Sequence, residues 1–147
     1  MIYTALTKKA LQIAFDAHKE QVDKTGIPYI FHPFHLAEQM ESEDEICVAL
    51  LHDVVEDTDI SSDELRANGF SPRVMNALAL LTHGEGLEYF DYIKAIGDNP
   101  LAAKIKLADL RHNSDISRLD TVNEEDRERI EKYQKAIEYL LSKEFRA

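Results

Sequence analysis

An apolar run that leads directly into a group of acids constrains the fold of this chain more than any other feature. Residues 46–51 read Ile-Cys-Val-Ala-Leu-Leu, and residues 52–59 add one histidine and four carboxylates. At helical spacing, Asp53 and Asp57 continue the apolar stripe that Ile46 begins. A buried unpaired carboxylate is costly, and the partial negative charge at a helix C-terminus makes it costlier. We therefore expect a positive partner among these acids, and a metal ion is the simplest candidate.

The rest of the chain predicts helices separated by short loops. Ser61 to Glu64 is typical of a capping box, and Ser71-Pro72 and Asn99-Pro100 each look like an N-cap followed by proline in the first turn. No alternating strand pattern occurs. We expect an all-α, compact single-domain bundle of seven or eight helices that takes up residues 1–147. The predicted helices span about 4–20, 33–40, 44–57, 61–69, 72–82, 87–96, 100–113 and 123–143.

Charge and cysteine content narrow the class of protein. The formal net charge of -11 argues against nonspecific binding of a nucleic-acid polymer, which requires a basic face. The single cysteine, Cys47, cannot form an internal disulfide and is expected to be a small core residue. The N-terminus lacks a signal-peptide pattern, and no apolar run approaches the roughly 20 residues that span a bilayer. These features favour a cytoplasmic protein without a membrane partner.

Two further segments carry residues suited to chemistry. Asp109 interrupts an inward-facing stripe of the helix predicted at 100–113, and His32 lies in a rigid loop between Pro28 and Pro33. Alone, such a histidine is more often a hydrogen-bonded core residue, and such an aspartate is often a cap or an ion-pair partner. Together with His52 and Asp53 they supply two imidazoles and two carboxylates from three segments, as internal metal sites of helical bundles do.

Four ordered blocks of sequence resemble one family. They are His18-Lys19-Glu20-Gln21, residues 24–33 (KTGIPYIFHP), residues 49–58 (ALLHDVVEDT) and residues 106–113 (KLADLRHN). The chain resembles the HD-domain metal-dependent phosphohydrolases. Within them it is similar to the hydrolase domain of the RelA/SpoT-type alarmone enzymes, which act on (p)ppGpp, and to their small stand-alone relatives.

The resemblance implies a ligand set and a catalytic pair. His32, His52, Asp53 and Asp109 would hold one divalent cation, with Mn²⁺ the first choice and Fe²⁺, Zn²⁺, Co²⁺ or Ni²⁺ as alternatives. Mixed imidazole and carboxylate ligands suit such metals better than Ca²⁺. The resemblance also implies that Glu56 and Asp57 orient and deprotonate the attacking water, although a solvated acidic helix end is the plain alternative.

The basic and polar residues near these blocks are candidate substrate contacts. Lys24 and Asn113 match positions that contact the nucleotide in the alarmone enzymes, although Lys24 could be a surface lysine and Asn113 a helix cap. Lys104 and Arg111, with Lys106 and Arg118, could form a positive rim for phosphate, or each could be an ordinary surface charge.

One departure from the family bears on the substrate. Asp23 stands where the alarmone hydrolases have an arginine that helps to hold guanine, and an acid cannot stack as a guanidinium does. The leading hypothesis is a hydrolase of a small-molecule nucleotide, with guanosine 3′,5′-bis(diphosphate) as the candidate substrate and loss of its 3′-pyrophosphate as the reaction. The alternatives are hydrolysis of another nucleotide or phosphoester, a metal-retaining nucleotide-binding module without turnover, and a purely structural helical protein. The sequence does not define an oligomeric state.

Overall fold

The computed structural model describes residues 1–144 and is all-helical over that range. Its one β-type contact is an isolated antiparallel bridge between Val22 and Pro28. Nine α-helices and one 3₁₀ helix (Ile116–Arg118) occur in the described chain. The α-helices are α1 (Ala5–His18), α2 (Phe31–Glu38), α3 (Glu43–Leu51), α4 (Val54–Asp57), α5 (Ser62–Ala67), α6 (Pro72–Leu81), α7 (Tyr89–Gly97), α8 (Pro100–Asn113) and α9 (Glu124–Glu144). The predicted all-α class is confirmed.

The helix starts follow the local side chains that the sequence offers. The Ser71 and Asn99 side chains accept from the backbone N–H groups of Val74 and Ala102, and a proline follows each cap. Ser61 accepts from the backbone of Glu64 in the same way. These caps satisfy N–H groups that have no partner within their own helix, and they place α5, α6 and α8 as predicted.

The core surrounds α3. All six residues from Ile46 to Leu51 are buried, and α3 packs against α1, α2, α6 and α8. A helix that is apolar on every side must lie inside the bundle, and this position brings its C-terminal end to the centre of the molecule. Cys47 is part of this core, where burial raises the pKa of its thiol to about 12.

The helix predicted at 44–57 is broken, which corrects the sequence-based boundary. It ends at Leu51, and residues 52 and 53 form a turn before α4. The carbonyl of Ala49, which the N–H of residue 53 would bond in a continuous helix, is 2.6 Å from Nδ1 of His52. A side chain that binds the backbone in this way competes with the helical hydrogen bond. The break places Asp53 at an inner edge of the bundle and leaves Asp57 exposed.

Smaller shifts affect two other helix starts. The helix expected to open at Pro33 begins two residues earlier, at Phe31, so that the proline falls within its first turn. The helix expected at 87–96 begins at Tyr89, because Glu88 caps it. Residues 145–147 belong to the predicted domain but lie outside the described residues. Between residues 1 and 144, no helix combines the length and the apolar character needed to cross a membrane.

Candidate functional site

Four side chains from three separate elements meet at the centre of the bundle and form what we call the His–Asp cluster. α2 supplies His32, the turn between α3 and α4 supplies His52 and Asp53, and α8 supplies Asp109. Ligand atoms of His32, His52 and Asp109 all lie within 4.8 Å of one another, and these three residues are buried. Nε2 of His32 is 2.8 Å from Oδ1 of Asp109, and Nε2 of His52 is 3.5 Å from the same oxygen. This grouping could hold a metal ion.

Asp53 lies at the edge of the cluster. Its Oδ2 is 2.9 Å from Nε2 of His52 and 4.0 Å from Nε2 of His32. The hydroxyl of Tyr29 donates a short hydrogen bond to the same Oδ2. Tyr29 itself packs between the rings of His18 and His32, with centroid distances of 5.0 and 5.6 Å. The hydroxyl of Tyr29 and the ring of His52 thus hold the same oxygen of the Asp53 carboxylate.

The hydrogen bonding of His52 leaves one ring nitrogen for a cation. Nδ1 lies 2.6 Å from the carbonyl of Ala49 and must donate its hydrogen there, since a carbonyl can only accept. Nε2 is buried and has no hydrogen-bond partner within residues 1–144, because its close approach to Asp53 lacks hydrogen-bond geometry. A ring nitrogen fixed in this way by a backbone bond on the other nitrogen is typical of a metal-binding histidine.

His32 is oriented by a neighbouring ring on α8. Its Nδ1 lies 2.6 Å from Nδ1 of His112, and the two rings stack with centroids 4.9 Å apart. Burial and the nearby His32 lower the pKa of His112 to about 4, so His112 is neutral and can accept the hydrogen from His32. When His32 carries a hydrogen on Nδ1 alone, its Nε2 points a lone pair at the carboxylate of Asp109. That contact is favourable only if a proton or a metal ion lies between the two atoms.

The charges around Asp109 are only partly balanced by protein groups. Nζ of Lys106 is 3.0 Å from Oδ2, and Nδ2 of Asn113 is 3.0 Å from Oδ1. Burial raises the pKa of Asp109, but the charge of Lys106 and the two histidines outweigh burial and hold that pKa well below its usual range. The ammonium of Lys106 pairs with Asp109, whereas the contacts of Asp53 are with His32, His52 and Tyr29. The two carboxylates together therefore leave negative charge that a cation could neutralise.

A proton competes with a cation for His52. Burial lowers the pKa of this imidazole, yet the charges of Asp53 and Asp109 beside it more than reverse that effect, and the net shift is well upward. The same two carboxylates that would attract a divalent ion therefore attract a proton. Metal binding at this site must be weaker at low pH, since the ligand has to be deprotonated.

Glu56 and Asp57 are exposed at the end of α4, outside the cluster. Burial and the charge of Asp53 raise the pKa of each carboxyl above its ordinary value. The backbone N–H of His83 hydrogen-bonds Glu56, and the side chain of Gln21 donates to the backbone carbonyl of Asp57 at 3.2 Å. Two carboxyls of raised pKa next to a possible metal site are suited to take a proton from water.

A cavity of about 320 Å³ adjoins the cluster, and the structure brings Lys24 and Asn113 to its wall. Lys24 is exposed, with its ammonium 4.0 Å from a carboxylate oxygen of Asp126. Asn113 also bonds Asp109, so it links the cavity to the cluster. The lining residues are Val22, Asp23, Lys24, Thr25, Tyr29, His32, Asn113, Asp115, Arg118, Leu119, Arg129 and Tyr133.

Lys104 and Arg111, two further predicted substrate contacts, are not brought to this cavity. They line a different cavity of about 830 Å³ between α8 and α9, together with apolar residues such as Leu107 and Leu140. Nζ of Lys104 lies 2.9 Å from a carboxylate oxygen of Glu45. Lys106, read from the sequence as a candidate phosphate contact, instead binds Asp109 inside the bundle. The geometry gives no support to a role for Lys104 or Arg111 in binding the substrate.

The sequence does not indicate that Tyr29 and Lys106 hold the cluster: Tyr29 lies in a matched block without a role of its own, and Lys106 is expected at a phosphate-binding rim. The sequence favours a supporting or structural role for His112 but does not indicate its partner, His32. A signal existed for Lys106, because residues three apart on a helix are neighbours and Asp109 follows at that spacing. The contacts of Tyr29 and His112 join residues far apart in sequence, and no local pattern reveals them.

Fold and site together define an all-helical domain with a buried His/Asp group that could hold a metal ion. The model of the HD domain family matches residues 10–141, and the chain belongs to that family.

Two named proteins are similar to this chain in sequence. The guanosine-3′,5′-bis(diphosphate) 3′-pyrophosphohydrolase of Aquifex aeolicus is 33% identical over 137 residues, which cover 85% of this chain and 19% of that protein. The enzyme of the same name, MESH1, from Danio rerio is 39% identical over 72 residues, covering 44% of this chain and 40% of that protein. The chain thus spans about a fifth of the length of the Aquifex relative.

A solved structure has a similar fold over nearly the whole chain. It is described as a metazoan ortholog of SpoT that hydrolyzes ppGpp and plays a role in starvation responses. The TM-score is 0.76 at 27% sequence identity, and the match covers 96% of this chain and 88% of that one. The similarity of fold therefore extends over nearly the whole of both chains.

Proposed function

We propose that this chain is a metal-dependent phosphohydrolase that acts on a nucleotide, and that it removes the 3′-pyrophosphate of guanosine 3′,5′-bis(diphosphate). The observation that carries the proposal is the His–Asp cluster itself. Its two histidines each have one ring nitrogen engaged by a neighbour and the other directed at buried carboxylates. Ring nitrogens and carboxylates arranged in this way can bind a cation together, and a purely structural bundle would not need them.

We assign His32, His52, Asp53 and Asp109 as the ligands of one divalent ion, with Mn²⁺ the first choice. Imidazole and carboxylate donors in this ratio suit a first-row transition ion. When bound, the ion supplies Lewis acidity, which lowers the pKa of water and stabilises negative charge on phosphorus oxygens. Lys106 and Asn113 hold Asp109 in place, while Tyr29 holds Asp53.

Glu56 and Asp57 act on the attacking water in this proposal. A general base works best when its pKa lies near the operating pH, and both carboxyl pKa values are raised in the direction that such a role requires. The charge of Asp57 adds to the rise in the pKa of Glu56, and in this proposal one of the two acids orients the water while the other takes the proton. Asn113 and Lys24 then meet the substrate from the 320 Å³ cavity.

The substrate assignment draws on the relatives. The Aquifex and Danio proteins are named for hydrolysis of guanosine 3′,5′-bis(diphosphate), and the solved structure of similar fold is described as hydrolysing ppGpp. The match to that structure covers 88% of its chain, whereas the matches to the Aquifex and Danio proteins cover 19% and 40% of their lengths. A different nucleotide or phosphoester is the second candidate, since Asp23 stands at the position where the resemblance would place an arginine. The cytoplasmic location stays a prediction from the sequence.

The test is turnover of a nucleotide panel by the purified chain with Mn²⁺. The panel should contain guanosine 3′,5′-bis(diphosphate), guanosine 3′-diphosphate and the corresponding adenosine compounds, with pyrophosphate and phosphate release measured. The proposal predicts pyrophosphate release from the first compound. Glu56→Gln should retain bound metal and lose most turnover, because the change removes the base and leaves the proposed ligands in place.

Asp59 provides a matched control. It is an exposed acid two residues beyond Asp57, and Asp59→Asn should leave turnover near the wild-type rate. Release of pyrophosphate at equal rates by wild type and by Glu56→Gln with Asp57→Asn would contradict the catalytic assignment. Metal retention without turnover of any compound would instead favour a binding module.

A further inference from the structure

We propose that Arg118 determines the base specificity of the proposed nucleotide site: its guanidinium, held by Asp23, receives a 6-oxopurine in the 320 Å³ cavity. The proposal rests on the nucleotide substrate argued above and adds the residue that selects the base. Arg118 follows α8 in the short 3₁₀ helix and lines the same cavity as Tyr29, His32 and Asn113. The cavity therefore joins this guanidinium to the His–Asp cluster.

The guanidinium is fixed from two sides. Its NH1 group lies 3.4 Å from Oδ2 of Asp23, and its NH2 group donates to the backbone carbonyl of His112 at 3.0 Å. Its buried Nε has no hydrogen-bond partner among the residues that the structure describes. Because it is buried, Nε is not the donor that a ligand would meet. NH1 and NH2 each carry a second hydrogen beyond the ones bonded to Asp23 and His112, and these two hydrogens are the donors that the cavity-lining arginine offers. An arginine held by two acceptors in this way is pre-organised to donate to a ligand.

Asp23 is committed to holding the loop and the arginine. Its Oδ1 accepts from the backbone N–H groups of Thr25 and Ile27 at 2.8 and 3.1 Å, and from the hydroxyl of Thr25 at 2.6 Å. Only Oδ2 faces Arg118. The carboxylate thus anchors the loop of residues 21–28 against the segment that follows α8, and Asp23 and Arg118 line the cavity together.

The character of the cavity favours a base over a phosphate group. The charge of Arg118 is balanced by Asp23. Asp126 lies 2.5 Å from Arg129 and 4.0 Å from Lys24, and Asp115 adds a further negative charge to the lining. Val22, Leu119 and the ring of Tyr133 contribute apolar and aromatic wall. A neutral, planar ring with hydrogen-bonding edges fits such surroundings better than a phosphate, which would be drawn to the cation site. The volume of about 320 Å³ is at the lower end of the range for small-molecule sites and is enough for one nucleoside.

The donors of Arg118 distinguish the two purines. A guanidinium can only donate, and guanine offers two adjacent acceptors, O6 and N7, whereas adenine replaces O6 by an amino donor. A good bidentate pair of this kind discriminates between bases by roughly 10- to 100-fold in affinity. Arg118 should therefore favour GDP over ADP, two ligands that carry the same diphosphate.

The experiment measures the binding of GDP and ADP to the full chain by calorimetry, and it does not depend on turnover. Wild type should bind GDP roughly 10- to 100-fold more tightly than ADP. Arg118→Ala should lose most of this preference by weakening GDP alone, and Arg118→Lys should lose it too, because a lysine has no planar fork. A purely structural role for Arg118 would lower the melting temperature without changing the GDP/ADP ratio.

Arg73→Ala is the matched control. Arg73 is an exposed arginine whose NH1 lies 3.2 Å from a carboxylate oxygen of Asp44, and it is not among the residues that line the cavity. The control should keep the wild-type ratio. Equal affinity of wild type for the two nucleotides, equal weakening of both by Arg118→Ala, or no GDP binding would each overturn the proposal. Loss of turnover with an intact GDP preference would count against the proposed hydrolysis and not against the role of Arg118.

Discussion

Replacing Lys106 by methionine tests the charge balance of the His–Asp cluster. The substitution removes the ammonium 3.0 Å from Oδ2 of Asp109 and keeps an apolar side chain of similar length. Lys106 is largely buried, and its Nζ also lies 5.3 Å from the centre of the Tyr92 ring. The change therefore leaves a buried carboxylate without its nearest positive charge.

The expected loss of stability follows from the distance and the burial. At an effective dielectric constant of about 20, two unit charges 3.0 Å apart attract by about 5 kcal/mol. Removing one partner of a buried pair costs about 3–5 kcal/mol in measured cases. For a domain of this size each kcal/mol shifts the melting temperature by about 2–4 °C, which predicts a fall of about 6–20 °C for the metal-free chain.

A bound divalent ion should restore much of this loss. Because the ion would bring positive charge back to Asp109, Lys106→Met should gain more stability from Mn²⁺ than wild type gains. Urea unfolding followed by circular dichroism, once in EDTA and once in Mn²⁺, measures both effects. Wild type and Lys106→Met, each unfolded in EDTA and in Mn²⁺, give four curves. The EDTA pair gives the loss of stability in the metal-free state, and the comparison with the Mn²⁺ pair gives the difference in stabilisation by the metal.

Lys104→Met is the matched control for this experiment. The ammonium of Lys104 lies 2.9 Å from Glu45, but this pair is partly exposed, so its removal should cost no more than about 1 kcal/mol and should leave the response to Mn²⁺ unchanged. The reasoning is refuted if the two lysine variants behave alike, or if Mn²⁺ stabilises Lys106→Met no more than wild type.

Two further predictions concern the supporting residues of the site. Tyr29→Phe removes the hydroxyl that donates to Asp53 and should weaken Mn²⁺ binding by roughly 10- to 100-fold in calorimetry, while Tyr3→Phe, an exposed control, should not. The pKa of Glu56 is raised by burial and by Asp53, so the folded, metal-free chain binds this proton more tightly than the unfolded chain. Its stability should therefore rise as the pH falls through the folded-state pKa of Glu56 towards the usual value of about 4.3, and Glu56→Gln should abolish that component. Urea unfolding in EDTA at a series of pH values checks this, and a Glu56→Gln curve parallel to that of wild type would contradict it.

The helical framework could be predicted because its signals are local. Ser71, Asn99 and the prolines that follow them fix two helix starts through bonds to residues three positions away. The histidines and Asp109 could be singled out because each interrupts an apolar stripe or a rigid loop. The grouping of His32, His52 and Asp109 within one 4.8 Å cluster was an expectation from resemblance, and the structure brings those atoms together.

Contacts between distant residues could not be predicted in the same way. The pair Asp23 and Arg118 is separated by 95 positions, and the sequence offers no pattern that links them. The sequence indicates only that Asp23 replaces an arginine of the substrate site. The structure pairs Asp23 with Arg118, whose guanidinium lines the same cavity. The break after Leu51 has a different, local cause: the side chain of His52 binds the carbonyl of Ala49, and the apolar pattern on both sides of the break does not indicate this bond.

The most direct test of the central claim is a titration of the metal-free chain with Mn²⁺ in a calorimeter. The account predicts one ion bound per chain, with binding weakened as the pH falls and abolished in His52→Ala and in Asp109→Asn, each checked for folding by circular dichroism. A folded wild-type chain that binds no divalent ion, or variants that bind Mn²⁺ as tightly as wild type, would contradict it.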